Sequence, residues 1–214
     1  MRPILITGGS PRVPVDAVRD LVAAGGGRTA LALRDAVKAL APDLAVDLLL
    51  SIRAEPGTTA LRYDRREDFE RGLQTWIAAH PEGVVVMAAA VNDFTVDSIA
   101  SEKDGVTTIL APGEKISSRA DALVIRLKPA SKVIDQLPAW GLRGPIVGFK
   151  FEDAATVIAS ADALRRRAGA ALMVANSLDM RVQALVDAAG VERLPDRTAL
   201  IAALAGRVVA LTNT

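Results

Sequence analysis

Short apolar runs alternate with longer amphipathic stretches along most of the chain. Ile4–Ile6, Val46–Leu50, Val84–Ala90, Ile146–Phe149 and Leu172–Ala175 are brief, aliphatic and bounded by turn residues, the pattern of strands buried on both faces. Between them Val15–Val22, Thr29–Leu40, Glu67–Ala79, Ala154–Ala168 and Arg197–Ala205 read as helices. This alternation predicts an α/β fold with a mostly parallel sheet and helices on both faces. Ligands of such folds gather at the carboxyl ends of the strands.

From residue 95 to 128 the rhythm breaks. The segment is polar and turn-rich until Ala122–Leu127, which alternates like an exposed strand, with Val106–Leu110 as the expected partner and Ala111–Asp121 as a long loop. A small β-hairpin arm of this kind serves as a lid or a dimerisation element.

Composition narrows the function classes. Half the residues are hydrophobic but only 3% are aromatic, so the core must be built from Ala, Val, Leu and Ile. A net charge of +1 offers no general field for nucleic acid or an anionic membrane. The absence of cysteine removes disulfides, thiolate metal sites and thioester chemistry, and fits a reducing cytoplasm. No apolar run approaches the length needed to span a bilayer, so a cytoplasmic protein is expected.

The candidate chemistry sits at predicted strand ends. Gly8, Gly9 and Ser10 follow the first strand and can form an anion-binding turn. Gly25, Gly26 and Gly27, before Arg28, are a second such turn or a flexible connection. Asp93, beside Asn92 at the expected end of a buried strand, either receives a ligand or a metal-bound water, or caps the next turn. Asn176 has the same two readings, and Ala89 and Ala90 are small enough to let a ligand lie on the backbone. Lys115, Lys128 and Lys150 are candidates to neutralise phosphate, and Phe149 could cover a base or pack in the core. Neither GxxxxGK[ST] nor GxGxxG occurs. A short-chain oxidoreductase would need Lys four residues after its Tyr, whereas the only tyrosine, Tyr63, is followed there by Glu67.

Four segments in order, Thr7–Arg19, Ala88–Phe94, Val147–Glu152 and Val174–Asn176, resemble phosphopantothenoylcysteine synthetase, together with Glu114-Lys115-Ile116 and Leu123–Lys128. The resemblance implies a Rossmann-like single synthetase domain over residues 1–214, with 95–128 as the arm. It implies a homodimer acting on small molecules: 4′-phosphopantothenate is activated by CTP (or ATP) with Mg²⁺, and the acyl-nucleotidylate is attacked by the amine of cysteine. No flavin is implied, because the fused decarboxylase of many relatives needs a Cys that this chain lacks. By the same resemblance Gly9, Ser10, Gly27, Phe149, Lys150 and Asn176 would bind nucleotide, and Ala89, Ala90 and Asp93 phosphopantothenate. Arg19 would reach the substrate phosphate across the dimer, and Lys115 would stabilise the acyl-nucleotidylate. One departure stands out: an asparagine of the family aligns with Ala23, and its paired serines with Gly25 and Gly26. Asn92 is the expected source of the missing amide, acting with Lys115 and Asp93 in catalysis. A metabolite-binding protein of the same fold that has lost ligation is the other reading.

Overall fold

The computed structural model describes residues 1–54, 60–111 and 113–213. Strands β1 (Ile4–Gly8), β4 (Val46–Ser51), β5 (Leu61–Tyr63), β6 (Val84–Met87), β10 (Ile146–Glu152) and β11 (Leu172–Ser177) form a parallel sheet. Two antiparallel strands, β12 (Gln183–Val186) and β13 (Val191–Arg193), extend it, giving the order β13-β12-β11-β10-β6-β1-β4-β5. Helices α1 (Arg28–Leu40) and α4 (Arg197–Leu211) cover one face, where Ile4, Ile6, Val84 and Val86 meet Leu33, Val37, Leu204 and Val208. Leu5, Val85 and Met87 point the other way, onto α2 (Arg66–Ala79) and α3 (Val157–Ala168). Burial on both faces is why these strands read as unbroken apolar runs rather than alternating ones. Each fully buried Leu or Val in these layers stabilises the fold by roughly 1.5–3 kcal/mol.

Chain order reverses beside β1. The chain leaves β1 for β4 and β5 on one side, then returns as β6 on the other. At such a switch point the connections diverge above the strand ends and leave a crevice. Pairing of β6 with β10 is confined to Val85–Ile146 and Val86–Val147, so β10 runs on past the end of its neighbour and lengthens the crevice.

Several expected elements take a different form. Residues 15–22 are not helical: β2 (Arg12–Pro14) and β3 (Asp20–Val22) make a hairpin. Its turn is closed by Asp16, whose carboxylate accepts the N–H groups of Val18 at 2.8 Å and Arg19 at 2.7 Å. An aspartate that bonds the backbone ahead of it offers a turn in competition with a helix, and Pro14 adds a fixed φ. The helix after the first strand therefore starts at Arg28, and the triple glycine joins a strand to that helix rather than two helices. The strand expected to reach Ala90 stops at Met87, leaving Ala89, Ala90, Asn92 and Asp93 in the following loop. Helix α3 starts at Val157 rather than Ala154, and α4 runs on to Leu211.

The arm is a three-stranded sheet. Its centre is β7 (Phe94–Lys103), flanked antiparallel by β8 (Val106–Ile109) and β9 (Ala122–Pro129), which do not pair with each other as expected. Residue 112 of its loop lies outside the described residues. Val15, Ile99 and Ile116 form a small core that joins the β2–β3 hairpin to the arm. Asp16 fastens the same junction by accepting the Ile116 N–H at 3.1 Å. Burial pushes the Asp16 carboxyl up, but the N–H groups of Val18, Ile116 and Arg19 and the Arg19 guanidinium outweigh it and hold its pKa below the ordinary carboxylate value.

Candidate active site

Above the ends of β1, β6, β10 and β11 lies a cavity of about 780 Å³. Gly9, the stretch from Gly25 to Thr29, Ala89, Ala90, Phe149, Lys150 and Asn176 all line it. Gly9 has φ 88° and Gly27 φ 77°, a left-handed backbone that costs any other L-residue roughly 1–2 kcal/mol. Gly25 is needed for space: a Cβ there would stand 2.9 Å from that of Ala90 and 3.0 Å from the Gly9 carbonyl oxygen. Hydrogen bonds join the turn after β1 to the segment after β6. Ala90 N–H donates to Gly9 O at 2.8 Å, Ala89 N–H to Thr7 Oγ1 at 3.2 Å, and Thr7 Oγ1 donates to Val86 O. Beneath them the Tyr63 hydroxyl, whose pKa is raised by burial, donates to Gly8 O at 2.9 Å.

The electrostatics suit an anion at one end of this cavity. Helix α1 starts there with Gly27 as its cap, no side-chain cap bond and no acidic residue in its first turn. Its N-terminal N–H groups and dipole therefore present uncompensated positive charge. At the other end Asn176 is 8% exposed, and its Oδ1 has no hydrogen-bond partner among the described residues. A buried carbonyl oxygen without a donor costs about 1–3 kcal/mol, which a donor on a ligand would recover. Lys150 reaches the cavity already paired, its Nζ 3.0 Å from Glu152 Oε2, and that contact leads the hydrogen bonds that lower the Glu152 pKa.

A second cavity of about 550 Å³ lies on the far side of Ala89, Ala90 and Phe149, and Asp93 and Lys132 stand at its edge as an ion pair. Both partners are about half exposed, so the pair is weak and open to exchange. Arg66 holds the rim in place through the carbonyls of Asn92 and Ser131.

Of the residues expected from the resemblance four line neither cavity, and Lys128, offered as a phosphate partner, also lies off both and pairs with Asp97. Ser10 is buried with its hydroxyl on Pro11 O. Asn92, expected to supply an amide to the site, instead accepts the Phe94 N–H at 3.1 Å and closes its own turn, as short amide side chains do. Arg19 pairs with Asp16 at the hairpin, and Lys115 is exposed in the arm loop beside Ile116.

Comparison with known proteins agrees with this fold. Residues 1–190 match the family model described as the DNA/pantothenate metabolism flavoprotein C-terminal domain. The chain belongs to this family. A curated member, the coenzyme A biosynthesis bifunctional protein CoaBC of Thermococcus kodakarensis, is 27% identical over 180 residues, or 82% of this chain and 41% of that protein. The chain thus spans about two fifths of the curated relative's length. Among solved structures, a DNA/pantothenate metabolism flavoprotein from Streptococcus pneumoniae superposes with TM-score 0.82 at 19% identity, over 98% of this chain and 99% of that one. A Cab2 variant in complex with phosphopantothenate-cysteine gives TM-score 0.77 at 17% identity, over 99% and 86% of the two chains. The C-terminal domain of a CoaBC gives 0.67 at 19%, over 98% and 92%.

Arg28, expected with the triple glycine, lines the larger cavity, and the linings also hold residues that the sequence did not single out: Phe151, Met180 and Arg197 in the larger cavity, and Lys132 in the smaller. Phe151 was within reach of the sequence, since it follows Phe149 by two positions and so shares its face of β10. Arg197 carried no such signal, being the first residue of a helix remote in the chain. Among the described residues no group of three or more His, Cys, Asp or Glu could hold a metal ion. The cavity therefore has no cage for a resident Mg²⁺; such an ion is ordinarily carried in on the phosphates of a substrate.

Proposed function

We propose that this chain is a phosphopantothenate–cysteine ligase of coenzyme A biosynthesis, using CTP (or ATP). The observation that carries the reading is the larger cavity, with an anion-binding helix start at one end and the unpartnered Asn176 oxygen at the other. A nucleotide has matching ends: phosphates for Gly9, Gly27 and the α1 N-terminus, and a base with N–H donors for Asn176 beside Phe149. Phosphopantothenate is assigned to the adjoining cavity, where Ala89 and Ala90 form a thin wall and Asp93 and Lys132 offer an exchangeable ion pair. Its carboxylate would attack the α-phosphorus where the two cavities adjoin, releasing pyrophosphate, and the cysteine amine would then attack the acyl carbon and displace the nucleoside monophosphate. Neither step needs a nucleophile from the protein. Holding the reactants together and receiving developing negative charge are the protein's contributions.

Arg19 and Lys115 stand on the hairpin and arm, away from their own cavity. In this reading they act on the site of a second copy, and the arm is the homodimer interface. Every residue of β9 is exposed, with Leu123, Ile125 and Leu127 along its length, and an uncovered edge of this kind invites pairing. The ligase reading is tested by following pyrophosphate release with each substrate omitted in turn. Release that depends on phosphopantothenate is expected; turnover indifferent to it would remove the reading. The alternative, a metabolite-binding protein without ligation, is favoured by Ala23 at the family asparagine position together with the engagement of the Asn92 side chain in its own turn. It predicts nucleotide binding with no pyrophosphate release under any combination of substrates.

A further inference from the structure

We propose that Arg197 is a phosphate-binding residue of the larger cavity, holding the terminal phosphates of a nucleoside triphosphate together with Arg28 and the α1 N-terminus. The inference rests on the nucleotide reading above and adds to it a residue from the far end of the chain. Arg28 and Arg197 both line the cavity, and neither has a carboxylate partner among the described residues. That sets them apart from arginines such as Arg12, Arg66 and Arg207, which are held in ion pairs. The Arg197 guanidinium donates to Thr29 Oγ1, which carries it across from α4 to the first turn of α1. One of its five N–H donors is used there, and among the described residues nothing takes the rest of the fork, which can engage a phosphate in the bidentate way that suits guanidinium.

A helix start alone would not identify a ligand. The independent observation is the Asn176 oxygen, 8% exposed and unpartnered, lining the same cavity. A ligand meeting both ends must carry a hydrogen-bond donor at one end and concentrated negative charge at the other. Lys150 is paired with Glu152, which leaves the two arginines as the cations of the lining without a carboxylate partner among the described residues. In the reaction the carboxylate oxygen bonds to the α-phosphorus, and the bond from that phosphorus to the bridging oxygen breaks. The electron pair leaves on pyrophosphate, and Arg197 lies where that charge collects.

Titration calorimetry on the full chain separates the outcomes, with CTP, ATP, CMP, AMP and inorganic pyrophosphate as probes. Arg197→Ala is expected to weaken the triphosphate and pyrophosphate by roughly 10- to 150-fold, as for a lost hydrogen bond to a charged group. Monophosphate binding should change by less than about 3-fold. Arg197→Lys should recover part of the loss, keeping the charge without the fork. Unchanged triphosphate binding by Arg197→Ala overturns the inference and leaves the ligase reading standing. Equal loss of mono- and triphosphate, with a lower Tm, overturns it in favour of a structural tie between α4 and α1. Arg197-dependent binding of pyrophosphate without any nucleotide binding keeps the anion site and removes the nucleotide reading. Binding of no probe by the wild type removes both.

Discussion

Substituting Gly9 by Ala tests whether the glycine turn after β1 is as tightly determined as its surroundings imply. The added Cβ would stand 2.6 Å from Ser51 Cβ and 3.2 Å from Ser51 N. Ser51 is 1% exposed and fixed in β4, so the clash meets strand backbone rather than a flexible tip. Two costs add: about 1–2 kcal/mol for a side chain at φ 88°, and about 1–3 kcal/mol for the overpacking. The sum, about 2–5 kcal/mol, corresponds to a Tm lower by roughly 4–20 °C in a domain of this size. Because Gly9 O accepts the Ala90 N–H, relaxation of the turn would also loosen the wall between the cavities. Gly26→Ala is the matched control, since nothing lies within 4 Å of its Cβ and its φ is not positive. Its Tm should hold, or rise by the equivalent of about 0.4–1 kcal/mol, while the methyl group intrudes on the cavity and weakens nucleotide binding. Differential scanning calorimetry of the two variants decides the matter. A Gly9→Ala protein melting within about 1 °C of wild type, or a Gly26→Ala protein falling as far as Gly9→Ala, would refute the reasoning.

Asn176→Ala removes an acceptor that the described residues leave unused, so Tm should hold or rise while nucleotide affinity falls by roughly 10-fold in calorimetry; a lower Tm with unchanged affinity would assign the side chain to folding. Asp16 has a folded pKa below its ordinary 3.8, so its contribution to stability is fully present above that value and is lost as pH falls through the folded one. Asp16→Asn should therefore melt below wild type at pH 7, with the gap closing below about pH 4, and a gap independent of pH would count against the carboxylate as fastener of the arm. Leu123→Lys together with Leu127→Lys on β9 should yield monomers in sedimentation where wild type sediments as a dimer, and wild type sedimenting only as a monomer would reject the arm as an interface.

The parallel strands were legible because burial on both faces writes itself as an unbroken apolar run. β1, β4, β6, β10 and β11 all carry that signature. The antiparallel additions do not. β13 is exposed at all three positions, and β12 is a run of only four residues behind the turn at 178–181. In β7 only Ile99 is buried, too little for an alternating signal, so the centre of the arm reads as irregular chain and its two flanks as each other's partners. Residues 15–22 misled in the opposite direction. Val15, Val18, Leu21 and Val22 fall at spacings of three and four, yet Val18 is 65% exposed and Asp16 closes a turn beneath it.

The same distinction governs the site. Residues that follow a strand directly, such as Gly9, Phe149 and Asn176, could be placed together because the sheet aligns strand ends whatever the loops do. Arg19 stands only ten positions after Gly9, but the β2–β3 hairpin between β1 and α1 carries it to the base of the arm. Lys115 lies at the same junction, because its neighbour Ile116 donates its N–H to Asp16, the partner of Arg19. Of two cations expected at one active site, one pairs with the Asp16 carboxylate and the other follows in sequence next to a residue bonded to it, and both are off the cavity of their own chain. Misplacement of a single residue would have no pattern. Their joint displacement onto the hairpin and the arm loop that it packs against fits the proposal that this region delivers both to the cavity of a second copy.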